Sequence, residues 1–456
     1  MIPCPSRRRF GKHRAAAVLL LGLLHAWQGW ANPSPGPGAV RPAGTSILPK
    51  VKELCSPQQA AQWRPTTGKH LAPLPAAGER PAKGIAVLDP AYRTCILRVT
   101  EHDREPPRGF ARADYSRRQS FNADDTRLVV VAQDGRWHLY DAETLDYLVA
   151  LDPLAGDAEP QWHPSDPDLL YFLPSNGIGM KLRQLNVRTG IASDVADLGP
   201  RVKAVWPSAH SVWTRSEGSP SADGRYWAFQ VDGPDWKGLG LFTYDLVEDR
   251  IIATYDLARH GKDRPDHISM SPSGNHVVVS WLDGPTAFTR DFRAPRLLQS
   301  KSEHSDIALT AEGDDAYVAI DYQAGKGPLF MVNLRTGQRT DLFDTYIDGT
   351  ATALHVSGKA YRRPGWVLVS TYADGGRGGR QWLHRKLLAV ELKASPRIVN
   401  LGFHQSRYAK YWTEPHASVN RDFSRVVFNS NWGVASETDV DTYMLVVPPQ
   451  ALSPRP

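Results

Sequence analysis

Seven ionisable side chains occupy matching places in this chain, each four residues ahead of the first residue of a similar polar turn. They are Arg118, Glu159, Glu217, His267, Asp306, His355 and His416. Side chains on an extended strand alternate faces, so the positions four and two before the turn share a face. Two before the turn stand mostly small residues, Ser120, Gln161, Ser219, Ser269, Ala308, Ser357 and Ser418. Such a set suits a crowded axis, and the ionisable set above it would converge on one mouth. Imidazoles and carboxylates together are the donors a divalent cation takes. Glu217, His267, Asp306, His355 and His416 are the candidate ligands, with His304 close by. The same groups could do acid–base work: His267 or His416 as a base, with Arg118 neutralising a carboxylate. A second reading stays open, in which the ring is a solvated mouth whose charges pair with one another.

The elements that must position this ring recur along the chain. Strongly β-forming runs at 128–131, 170–173, 226–229, 276–279, 316–319, 366–369 and 425–428 follow turns such as 122–125, 221–224, 271–274, 310–313 and 420–423. Their spacing suits four-stranded units repeated around an axis. The predicted fold is all-β, a propeller of seven four-stranded blades over residues 83–448, with six or eight blades as alternatives. The last repeat is a strand short. Ile96 to Val99 could supply that strand and close the ring by pairing the two chain ends.

Residues 1–31 read as a signal peptide. Arg7, Arg8, Arg9, Lys12 and Arg14 precede an apolar run, and Gly29 and Ala31 stand before the cleavage point. Ser6 to Lys12 also fits a twin-arginine signal, and both routes stay open. Export to the periplasm or the medium is the expectation. The leader carries most of the net charge of +6, so the remainder is near neutral and offers no nucleic-acid footprint. No later segment is apolar enough for a membrane helix. Residues 32–82 form a Pro/Gly-rich extension, and 449–456 a tail. Cys55 and Cys95 are a candidate disulfide holding that extension, the alternative being two buried thiols. Rim hairpins offer Arg377, Arg380, Trp382 and Trp432 as candidate substrate contacts, because guanidinium forks bind carboxylates and indole faces stack on sugars. No serine-hydrolase elbow, P-loop, dinucleotide fingerprint or His-Glu-x-x-His motif is present.

The turns quoted above resemble the Ser-Pro-Asp-Gly signature of bacterial WD-like propellers related to the Tol–Pal translocation propeller, and the resemblance covers nearly all of 83–448. It implies a periplasmic module presenting a face to a protein or glycan. The stretch Glu414, Pro415, His416, Ala417, Ser418 resembles the histidine-rich stretch of the oligogalacturonate lyases. That resemblance implies a secreted seven-bladed lyase of acidic glycans, holding manganese through histidines and a glutamine and using a His and an Arg in catalysis. His416 carries over; Glu414 departs from the pattern, and no glutamine ligand matches. Manganese or calcium is the expected cofactor on this reading. An acidic glycan or a periplasmic protein is the expected partner.

Overall fold

The computed structural model describes residues 49–76, 78–376 and 378–453. The expected leader at 1–31, the first part of the extension, Arg377 and the last tail residues lie outside the described residues.

Four of the repeats close their first turn in the same way. The side chain of the first turn residue accepts the backbone N–H five residues on: Asn122 from Arg127 at 2.9 Å, Ser221 from Tyr226 at 2.9 Å, Ser271 from His276 at 3.0 Å and Asn420 from Arg425 at 2.9 Å. This bond turns the innermost strand into the next one and sets the register of the blade. The second strands are apolar on both faces because each lies between two neighbouring blades. Val277 and Val279 pack with Ile268, Ala228 and Leu241, while Val278 packs with Ile307, Tyr317 and Ala319. Double-sided burial explains why these runs read as unbroken Val, Tyr and Phe.

Among the described residues the strands form six sheets, four of them four-stranded. A six-stranded sheet is a blade (Thr350–Ser357, Trp366–Gly376, Lys386–Glu391, Ile398–Phe403) extended by short strands at both edges. The nine-stranded sheet is two blades joined by one parallel bridge, Asp441 to Ala111. Counted so, the strands group into seven blades. The chain ends meet in the last of them: Cys95–Arg98 runs antiparallel to Asp441–Val446, pairing Cys95 with Val446 and Arg98 with Tyr443. A free edge is removed by this pairing.

The described part of the extension lies on the blades. Thr66–Thr67 adds a strand to Ile398–Phe403, the Trp63 indole donates to the Tyr92 carbonyl at 2.6 Å, and a Cys55–Cys95 disulfide ties the segment to the closing strand. No helix among the described residues is long and apolar enough to cross a membrane.

Candidate functional site at the channel mouth

The buried centre of the mouth is formed by His355, Glu414 and His416. His355 sits near the end of the innermost strand Thr350–Ser357. Glu414 and His416 flank Pro415 just before the innermost strand of the last blade. A short helical turn, Tyr411–Thr413, delivers them to the axis. All three residues are buried, and their ligand atoms lie within 4.8 Å of one another. Glu414 Oε2 is 3.4 Å from His355 Nε2 and 3.4 Å from His416 Nε2. Ligands about 2.1 Å from a tetrahedral ion stand about 3.4 Å apart, so this spacing suits one small cation. Both ring nitrogens of His355 and Nε2 of His416 have no hydrogen-bond partner despite burial. Orphaned buried nitrogens of this kind call for an explanation, and an ion supplies one. His416 also holds a left-handed backbone, φ 39°, which a residue with a Cβ adopts at a cost. Burial keeps both imidazoles neutral by pushing their pKa values well below the ordinary range, and it raises Glu414 to about 7.

A third ring completes one wall. His304 stacks on His355 at 4.4 Å between centroids, and Tyr372 stacks on the same ring at 4.7 Å. His304 Nδ1 donates to the Leu354 carbonyl at 2.8 Å. Its proton is therefore on Nδ1, and Nε2 carries a lone pair. Burial again lowers the pKa, so the ring stays neutral.

The opposite wall is built on Arg117. Its guanidinium donates to Glu217, to the Ser305 carbonyl and to His267 Nε2 at 2.8 Å. His267 Nδ1 lies 3.2 Å from Asp266, so this imidazole has a partner on each nitrogen. Glu217, Asp266 and His267 could in principle hold a metal. Here the Arg117 cation already neutralises that acidic group. Tyr115 joins the walls, with ring contacts to His355 at 5.4 Å and His416 at 4.9 Å and the Arg117 guanidinium 5.6 Å from its centroid.

Several sequence expectations need correction. Arg118 is not available for catalysis: it is bound to Asp114, to the Pro160 carbonyl at 3.0 Å and to the Ser216 carbonyl at 2.6 Å. The chain turns here, with Arg118 N–H on the Tyr115 carbonyl, so strict alternation fails and Arg117 takes the inward place. Asp306 is no free ligand: it accepts from Lys359 at 3.0 Å, from the Gly358 N–H at 2.7 Å and from the Ile307 N–H at 2.8 Å. Glu159 closes the loop of the next blade, accepting from Thr214 and Ser216. Trp382 is 6% exposed and packs on Phe343 at 5.2 Å, inside the blade core. Trp432 stacks on Tyr443 at 4.8 Å and donates to the Glu79 carbonyl, so it fastens the extension. Arg380 is exposed, and Arg377 lies outside the described residues.

Arg112 was not anticipated. It is 1% exposed, and its guanidinium lies 4.7 Å from the Trp412 centroid and 5.4 Å from Phe110. Nη2 stands 2.6 Å from His416 Nδ1. Its position, six residues ahead of Arg118 in a stretch with no turn signature, offered no repeat to align.

No family description matches the chain, and no curated protein sequence matches it. Among solved structures, an oligogalacturonate lyase from Vibrio parahaemolyticus is 14% identical, with a TM-score of 0.54 over 80% of this chain and 97% of that one. An oligogalacturonate lyase in complex with manganese is 14% identical, with a TM-score of 0.55 over 81% of this chain and 97% of that one. TolB from Acinetobacter baumannii also matches, at 14% identity and a TM-score of 0.34 over 61% of this chain and 64% of that one, too loose to argue from. At this identity the likeness is one of fold: the chain is a β-propeller similar in architecture to the oligogalacturonate lyases.

Proposed function

We propose that this protein is an exported lyase of acidic glycans that works with a divalent cation held by His355, Glu414 and His416. The observation that carries the reading is the spacing of Glu414 Oε2, 3.4 Å from each of two partnerless imidazole nitrogens in a buried mouth. Solved lyases of matching architecture, one of them a manganese complex, support it. The bound cation would neutralise a uronate carboxylate and so acidify the carbon beside it. Every other part of the task falls to the chain's own side chains. His304, locked with its proton on Nδ1, presents Nε2 to accept the α-proton. The released electron pair forms the new C=C bond as the glycosidic C–O bond breaks, and the departing oxygen takes a proton from water. Arg117, oriented by Glu217 and His267, supplies positive charge beside the same mouth. The stacked Tyr372 and His355 cover His304 and keep the base neutral. The Cys55–Cys95 disulfide accords with an oxidising compartment. Of the two expected cations, two imidazoles and one carboxylate suit manganese better than calcium, which takes about six to eight oxygens.

The direct test follows ultraviolet absorbance while the protein is incubated with uronic-acid oligomers, with manganese or calcium and then with chelator. Metal-dependent growth of the unsaturated-product band is expected, and its loss in His304→Gln. Absence of the band with every uronic oligomer and both metals refutes the lyase.

A non-catalytic binding propeller is the second reading, favoured by one contact. Arg112 occupies His416 Nδ1 and leaves the proton on Nε2, which closes the triad without an ion. Glycan or protein binding without any absorbance change would establish it.

A further inference from the structure

Beside the buried mouth the chain exposes an unusual hexapeptide. Residues 407–412, Arg-Tyr-Ala-Lys-Tyr-Trp, are all exposed, yet both ends of the segment are locked. The buried Asn431 accepts from the Arg407 N–H at 2.8 Å and donates to the Arg407 carbonyl at 2.8 Å. At the far end, buried Thr413 accepts from the Ala409 N–H at 2.9 Å and from the Lys410 N–H at 3.2 Å, and donates to the Lys410 carbonyl at 2.7 Å. Ser406 joins the two ends by donating to the Thr413 carbonyl at 2.6 Å. A loop so tied presents its side chains at little further entropic cost to a ligand.

What it presents is large, apolar and cationic by turns. Tyr408, Tyr411 and Trp412 are 51%, 47% and 41% exposed, while most aromatic side chains of the fold are packed between blades. Exposed aromatic groupings of this kind mark binding surfaces. The Trp412 ring is braced by Phe110 at 5.2 Å and by the Arg112 guanidinium. The ledge is continuous with the mouth, since the Tyr411 ring lies 4.8 Å from His416 and the Tyr408 ring 6.0 Å from Tyr372. Arg407 and Lys410 alternate with the rings along the segment; Lys410 Nζ stands 3.3 Å from Glu437 in an exposed pair that a ligand carboxylate would have to displace.

We infer that residues 407–412 form a subsite ledge for an acidic oligosaccharide, with Tyr408, Tyr411 and Trp412 stacking on successive sugar rings and Arg407 and Lys410 meeting their carboxylates. Aromatic faces suit the apolar faces of pyranoses, and interleaved cations select a chain with one negative charge per sugar. The occupant is the part of the glycan that runs outward from the buried triad, so the inference rests on the acidic-glycan reading above and extends it from a reacting sugar to a chain.

Binding is measured by calorimetric titration with tetramers of galacturonate, guluronate and glucuronate, in chelator, so that turnover plays no part. A neutral glucan tetramer is the control. The intact protein is expected to bind at least one uronic tetramer and not the neutral one. Tyr408→Ala combined with Lys410→Gln, two surface changes that leave the fold intact, is expected to weaken that binding at least about tenfold. Trp412→Ala should do the same, and circular dichroism checks that Phe110 and Arg112 have not collapsed. Undiminished affinity in the Tyr408/Lys410 variant overturns the ledge, and so does equal binding of the neutral glucan. A protein that binds no uronic tetramer overturns it too and makes a protein partner the next candidate. The absorbance assay on uronic dimers decides the lyase reading separately, because a dimer fills the mouth without needing the ledge.

Discussion

Arg112 Nη2 lies 2.6 Å from His416 Nδ1, both groups fully buried. A guanidinium can only donate, so Nδ1 accepts and the imidazole proton sits on Nε2, facing Glu414. A cation bound at Nε2 needs the opposite tautomer, with Nδ1 donating. Loading the triad therefore requires Arg112 to release His416.

Arg112→Gln is expected to tighten manganese binding by about tenfold, because a glutamine oxygen accepts from Nδ1–H and a buried positive charge is removed. Competition titration against a fluorescent chelator at neutral pH measures it. Weaker binding in this variant would mean that Arg112 orients the ligand and does not compete with the ion.

The turn residues were legible because their chemistry is local: Asn122, Ser221, Ser271 and Asn420 each bond a neighbour five residues away. The alternation argument worked where the innermost strand is regular, as at His267–Met270 and Thr350–Ser357. It failed at Arg118, where a turn between Tyr115 and Arg118 exchanges the inward residue for Arg117. Asp306 stands on an innermost strand, but Lys359, which neutralises it, comes from the next blade and has no signature of its own. Trp382 read as a rim residue open to a sugar, whereas the indole is anchored by Phe343 of the preceding blade. Long-range partners decide which polar groups are left for chemistry, and one repeat read alone does not contain them.

Asp441 is the clasp of the closed ring. Its carboxylate is fully buried and accepts from Arg98 Nε at 3.1 Å and Nη2 at 2.6 Å, from Thr100 at 2.8 Å and from the His102 N–H at 3.1 Å. Burial pushes its pKa up, but the His102 hydrogen bond and the Arg98 charge outweigh it and leave the net value lowered. Its stabilising contribution is thus full above the ordinary carboxylate range and fades as pH falls through the lowered value. Asp441→Asn should cost about 2–3 kcal/mol in urea unfolding at neutral pH, since Arg98 loses its charged acceptor and keeps only Glu101 at 3.2 Å and the exposed Asp103 as counter-charges. A loss below about 1 kcal/mol would show that the strand pairing alone holds the ring.

The Lys359–Asp306 pair joins two neighbouring blades at 3.0 Å, with both side chains almost fully buried. Lys359→Met alone should destabilise the fold by about 3–5 kcal/mol, because a carboxylate is left in the channel with only backbone donors. Adding Asp306→Asn should restore most of that loss, and a double-mutant cycle by denaturant titration gives the coupling. Additive losses would mean that the two charges stabilise separate features.

Lys386 is the titrating group that fastens the extension to its blade. Its ammonium donates to the His70 carbonyl and to Asn400 at 2.7 Å, beneath the Tyr92 ring at 5.0 Å. Burial lowers its pKa to about 7, against the pull of Asp89. The folded value lies below the unfolded one, so between about pH 7 and the normal lysine range the unfolded chain binds more protons. Stability must then rise with pH across that window, by at most about 3 kcal/mol between pH 7 and 9. Melting curves of the intact protein and of Lys386→Met at matched ionic strength isolate this contribution. The variant should lose the upward slope, and proteolysis of the extension should slow from pH 7 to 9 in the intact protein alone. Parallel slopes in the two proteins would mean that Lys386 keeps its proton, with the Asn400 and His70 oxygens satisfying an ordinary ammonium.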